Sequence, residues 1–138
     1  MESIEARIAA HYGTGTLIER LAEGLRAAGT DLEHATLEDL KPVDEFHIGG
    51  LPATEALLAQ LEIPPGTRVI DIGCGIGGTA RLLASRYGAA VHGVDLTPEF
   101  VETARLLCDV TGVQASFEIG SALDLPVAAD SFDLATMI

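Results

Sequence analysis

Val69-Ile70-Asp71-Ile72-Gly73-Cys74-Gly75-Ile76-Gly77-Gly78 carries a strand straight into a glycine turn. The first four residues form a short β-branched run, and such a run closed by glycines marks a buried strand. A helix is expected to follow from about Gly77 to Tyr87, where Ala80, Leu82, Leu83 and Ala84 favour helix and Gly88 ends it. Val91-His92-Gly93-Val94 then reads as a second strand. Thr97-Pro98 places an N-cap before a proline at the first helical position, and Val101, Ala104, Leu107 and Cys108 carry an apolar face up to Gly112. Ala115–Ile119 and Phe132–Ile138 read as third and fourth strands. Alternating strands and helices in this order build a parallel sheet with right-handed crossovers, so the expected fold class is α/β.

Upstream the pattern is helical. Leu17, Ile18, Leu21 and Leu25 recur at helix spacing before Gly29, and Leu51, Leu57, Leu58 and Leu61 do so before Pro64-Pro65-Gly66. Residues 1–62 therefore read as a helical N-terminal cap and residues 63–138 as a Rossmann-like domain. The 138 residues suit one domain of ordinary size. A hydrophobic fraction of 48% and a mean hydropathy of +0.32 supply a core and exclude disorder for most of the chain. Eight Lys+Arg against 21 Asp+Glu give a net charge of −13, which repels phosphate backbones and anionic membranes. The front half is the more acidic, with twelve acids and four bases in residues 1–62 against nine and four in residues 63–138. No stretch reaches the ~18 apolar residues of a membrane span, and the start lacks the order of a signal peptide. Cys74 and Cys108, the only cysteines, suit reduced thiols, make no zinc site by themselves, and fit a cytoplasmic location.

The glycine run sits where a ligand can approach the backbone, and the start of the next helix offers N–H donors. Asp95 closes the second strand 20 residues after Gly75, where a carboxylate can accept two hydrogen bonds from ribose hydroxyls. Gly73, Gly75 and Gly78 also satisfy the dinucleotide pattern G-x-G-x-x-G, which leaves a nicotinamide-dependent oxidoreductase as an alternative. Against it, Asp71 would set negative charge beside a pyrophosphate, Gly77 extends the glycine alternation, and no basic partner is at hand. An acid at that position suits a cationic ligand, such as the ammonium or sulfonium group of S-adenosylmethionine.

At these residues the chain resembles the class I S-adenosylmethionine-dependent methyltransferases, whose motif is an acidic residue followed by alternating glycines. The resemblance runs from about Asp44 to the end. It implies that Gly73, Cys74, Gly75 and Gly77 wrap the methionine portion of the cofactor with Asp71 beside it, that Asp95 holds the ribose, and that Leu96 lies against adenine. Where the family often has Gly-Asp-Ala, this chain has Gly120-Ser121-Ala122, so Ser121 or main-chain groups there take over the adenine contact. The stretch from Leu125 to Asp133 looks like the family's loop into the fourth strand. Asp44-Glu45-Phe46-His47-Ile48-Gly49-Gly50, followed by Ala53-Thr54, is similar to the segment before the first strand in sarcosine/dimethylglycine N-methyltransferase-like and ubiquinone C-methyltransferase-like members.

The implied activity is methyl transfer to a small molecule, with no metal and no nameable general base. A non-catalytic module that binds the same cofactor is the alternative from another class. His47 is either a cofactor or substrate contact or a loop histidine satisfying a carbonyl, and Tyr12 is either a residue closing over the site or a helix-edge aromatic. Cys74 is expected to pack beneath the loop; His34 and His92 receive no role. The resemblance also implies seven strands, whereas Thr136-Met137-Ile138 falls within the fourth. The chain therefore reads as a fragment that keeps most cofactor contacts and lacks part of the acceptor site. Its fourth strand would offer an open edge for self-association.

Overall fold

The computed structural model describes residues 16–44 and 47–138. Among these residues three helices come first: α1 Leu17–Ala27, α2 Leu37–Asp44 and α3 Gly50–Leu58, with a 3-10 turn at Leu32–His34 between the first two. Then follow β1 Arg68–Ile72, α4 Gly78–Tyr87, β2 Ala90–Asp95, α5 Pro98–Thr111, β3 Ser116–Ile119 and β4 Leu134–Thr136. The four strands form one parallel sheet in the order β3-β2-β1-β4. The chain runs outward from β1 to β3 and then returns to the other side of β1. That reversal is where open α/β sheets leave a crevice at the carboxyl ends of their strands.

Glycines punctuate the elements as expected. Gly77 (φ +84°) precedes α4, Gly88 (φ +66°) ends it, and Gly112 (φ +69°) ends α5, each in the left-handed conformation that glycine adopts without strain. Pro98 opens α5, but the Thr97 side chain makes no capping bond. Thr97 is buried, and its backbone N–H donates to Asp95 Oδ1 at 2.9 Å instead. The fourth strand is shorter than the pattern suggested. Its pairing with β1 runs from Val69–Leu134 to Asp71–Thr136. At its foot the Asp133 N–H donates to the Arg68 carbonyl at 2.8 Å, while the Asp133 carboxylate accepts the Arg68 N–H at 2.9 Å and Nη2 at 2.8 Å. The Arg68 guanidinium, then its N–H, hold the Asp133 carboxyl down to about 2, so this staple is present at neutral pH and released only as pH falls towards that value.

The core is aliphatic. One cluster packs Val69, Val91, Leu83, Val101 and Ala104 with Phe117 between sheet and helices. A second joins Leu21 and Leu25 of α1 and Leu40 of α2 to Ile76 of the glycine turn and Leu107 of α5. The N-terminal helices thus share a core with the sheet domain. The Leu17 N–H donates to Glu99 Oε1 at 2.7 Å, fastening the start of α1 to α5. Among the described residues no helix is long and apolar enough to cross a membrane.

Candidate functional site

A cavity of about 570 Å3 lies across the carboxyl ends of the strands, a volume typical of small-molecule sites. β1 supplies Asp71 and Ile72, the glycine turn supplies Gly73 to Ile76, and the end of β2 supplies Val94 to Thr97. Gly120 to Leu123 follow β3, Ile138 follows β4, and Asp44 and His47 come from the N-terminal segment. The sequence-derived residues Asp71, Gly73, Cys74, Gly75, Asp95, Leu96, Ser121, Ala122 and His47 therefore meet on one wall system. Tyr12 lies outside the described residues.

The glycine turn itself spends most of its backbone donors, ahead of those at the start of α4. Gly73 and Cys74 both donate their N–H groups to the Val94 carbonyl, at 2.8 and 3.1 Å. Gly75 donates to Asp95 Oδ2 at 2.8 Å, and Gly77 to the Cys74 carbonyl at 3.0 Å. Four backbone donors that could have met an anion are consumed inside the protein. Gly77 also departs from the expectation, since it does not line the cavity. A Cβ at Gly77 would stand 3.0 Å from the Phe117 ring and 3.1 Å from Arg81 Nη1. Its hydrogen permits close packing beneath the turn.

Asp95 therefore has a structural task in addition to any ligand. Each carboxylate oxygen accepts one backbone N–H, from Thr97 and Gly75 respectively, and each retains a further lone pair. Asp71 is buried and accepts the Thr136 hydroxyl at 2.7 Å, which links β1 to the end of β4. The Cys74 thiol is pushed far above its usual range by burial and then by the charges of Asp71 and Asp95. Its side chain is buried beneath the turn, where a Cβ on Gly93 would stand 2.9 Å from the sulfur. The cavity carries the carboxylates of Asp44, Asp71 and Asp95, of which Asp44 is neutralised by its ion pair with buried Arg81, and no lysine or arginine lines it among the described residues. Such walls favour a cation and oppose a pyrophosphate.

His47 satisfies a loop carbonyl and also lines the cavity. Its Nδ1 lies 3.1 Å from the Ile48 carbonyl and its Nε2 2.8 Å from the buried Thr54 hydroxyl, while the residue also faces the cavity. The Ser121 hydroxyl accepts the Leu123 N–H at 3.1 Å and shapes the turn after β3. Sequence reasoning missed Asp44, Thr79, Phe100 and Ile138 as lining residues. Asp44 opened the segment that resembled small-molecule members, and only its ion pair with Arg81, 37 positions away, brings it to the wall. Among the described residues no group of three or more His, Cys, Asp or Glu side chains could hold a metal ion.

A glycine turn at a sheet reversal, an acid closing β2 and carboxylates on the cavity wall define a Rossmann-like domain with a crevice at the carboxyl ends of its strands. Residues 69–138 match the family described as a methyltransferase domain, and the chain belongs to that family. Methyltransferase GfsG of Streptomyces halstedii is 35% identical over 122 residues, covering 86% of this chain and 44% of that protein. The 2-methyl-6-phytyl-1,4-hydroquinone methyltransferase of Synechocystis is 45% identical over 74 residues, covering 52% of this chain and 22% of that one. Among solved structures, phosphoethanolamine N-methyltransferase 2 of Haemonchus contortus in complex with S-adenosyl-L-methionine superposes with a TM-score of 0.61 at 31% identity, over 69% of this chain and 23% of that chain. The chain thus spans less than half the length of these relatives.

Proposed function

We propose that this protein binds S-adenosylmethionine and transfers its methyl group to a small molecule. The observation that carries the reading is the cavity wall, where the carboxylates of Asp71 and Asp95 stand with no lining lysine or arginine among the described residues, and where four amides of the glycine turn are spent internally. A sulfonium and an ammonium gain from such a wall, and a pyrophosphate meets an opposing field. In this reading Asp71 and the glycine turn hold the methionine portion, Asp95 accepts the ribose hydroxyls, and Leu96, Ser121 and Ala122 border adenine. When bound, the cofactor supplies an electrophilic methyl group. The chain's residues hold donor and acceptor in line and exclude water, which is where most of the rate gain of such a displacement arises. The relatives named above, a phytyl hydroquinone methyltransferase and a phosphoethanolamine N-methyltransferase among them, support a small-molecule acceptor.

Calorimetry of the folded chain tests this directly. S-adenosylhomocysteine is expected to bind at least about tenfold tighter than NAD, a difference of about 1.4 kcal/mol. Tighter binding of NAD would return the site to the nicotinamide class.

The same proposal takes residues 1–62 as a cap over the cofactor domain of residues 63–138, supported by Asp44 and His47 on the cavity wall. It places the protein in the cytoplasm, in keeping with two buried, unpaired cysteines. β4 pairs only with β1 among the described residues, and Met137 beside it is 67% exposed. An open parallel edge of that kind recruits a second strand. The 138-residue polypeptide alone is therefore expected to self-associate through residues 132–138 or to be poorly stable, without methyl-transfer turnover. Light scattering with an activity assay checks it, and a stable monomer that turns over would overturn it.

A further inference from the structure

Arg81 is fully buried in the first turn of α4. Its Nη1 donates to the Ile76 carbonyl at 2.7 Å, and its Nη2 donates to the Asp44 carboxylate. Ile76 belongs to the glycine turn, whereas Asp44 is the last residue of α2. Both line the cavity, so one planar group holds two walls that come from distant parts of the chain. The contact around it is tight. A Cβ on Gly78 would overlap the Asp44 carbonyl, which means that the end of α2 rests on the backbone at the start of α4. Gly77, also without a Cβ, lets the guanidinium lie against the turn beside Phe117.

This arrangement is a poor device for stability. Desolvating an ion pair offsets much of its attraction, and Arg81 Nε is buried with no hydrogen-bond partner. What the guanidinium supplies is geometry, since its rigid fork fixes the directions of a carbonyl and a carboxylate relative to each other, which a swivelling ammonium does not.

We propose that Arg81 is a positioning residue that couples the docking of α2 to the shape of the glycine turn, so that ligand binding in the cavity and seating of the N-terminal helices form one linked equilibrium. The ligand half of this statement rests on the function proposed above. A ligand that orders the turn holds the Ile76 carbonyl on Arg81, which in turn presents the guanidinium to Asp44. By linkage, docking of Asp44 raises ligand affinity by the same factor.

The test pairs Arg81→Met with Asp44→Leu, an apolar replacement of similar volume that buried ion pairs commonly tolerate. Amide exchange is followed first in ligand-free protein. Exchange of residues 74–78 is expected to rise about tenfold, within the range usual for coupled sites, while Val69, Ile70 and Val91 keep their wild-type protection. A merely structural ion pair would shift all of these together or none, and either pattern in a folded paired variant overturns the proposal. In wild-type protein, S-adenosylhomocysteine should increase protection of residues 37–44, and the paired variant should lose that response together with about tenfold in affinity. If wild-type protein fails to bind S-adenosylhomocysteine while turn exchange still rises in the variant, the cofactor reading falls and the positioning role stands. Should the paired variant not fold, Arg81→Lys serves the same purpose, because an ammonium on a flexible stem does not fix the directions of both acceptors; wild-type exchange at residues 74–78 in that variant overturns the proposal.

Discussion

Asp95→Ala is expected to weaken S-adenosylhomocysteine binding by at least about 100-fold, the largest effect of any single substitution in the cavity. Two charge-assisted bonds to ribose hydroxyls contribute about 1.5–3 kcal/mol each when desolvated. The structure adds a second loss, because the same carboxylate accepts the N–H groups of Gly75 and Thr97 and so ties the glycine turn to the start of α5. Asp95→Asn keeps one oxygen as an acceptor and should fall between wild type and alanine. Calorimetry on all three proteins, with circular dichroism to establish folding, separates the two losses. Wild-type affinity in a folded alanine variant would mean that ribose binds elsewhere.

Phe117→Ala is expected to cost about 3–5 kcal/mol of stability, the usual range for deleting a buried aromatic ring. Phe117 is 4% exposed and reaches from β3 to the underside of the glycine turn. Two glycines make room for its ring: a Cβ on Gly77 would lie 3.0 Å from it, and one on Gly93 only 2.6 Å. Gly93→Ala should therefore destabilise by overpacking, by about 1–3 kcal/mol. Removing the ring also leaves the turn without its floor, so affinity for S-adenosylhomocysteine should drop in step with stability. Urea denaturation checks the first effect and calorimetry at low temperature the second. Full stability in Phe117→Ala would show that the ring is not what supports the turn.

Some of this architecture is visible along the chain. The run from Val69 to Gly78 announces a strand, a turn and a helix, because β-branched residues and glycines act on the backbone within a few positions. Asp95 could be picked out by its position at the end of the next strand, and Asp71 by its charge beside the glycines. The helix ends at Gly88 and Gly112 follow from the same local chemistry. The fourth strand was harder, since its apolar run extends past the residues that β1 can pair. Thr97 stands at the N-cap position as expected, but its side chain makes no capping bond, because the N–H of Phe100 donates to the Thr97 carbonyl.

The sequence by itself therefore determined the alternation of strands and helices, the placement of the glycine turn, and the acid at the end of β2, all of which are local or periodic properties. Only the tertiary structure decided which donors of the turn remain for a ligand, and it spends those of Gly73, Cys74, Gly75 and Gly77 on Val94, Asp95 and Cys74. It also decided that Gly77 faces Phe117 and not the cavity, and that Asp44 reaches the wall through Arg81. These outcomes join residues up to dozens of positions apart, and a hydrogen bond or a buried ion pair forms only where packing of the whole core brings the partners within about 3 Å. Spacing along one dimension carries no record of that distance.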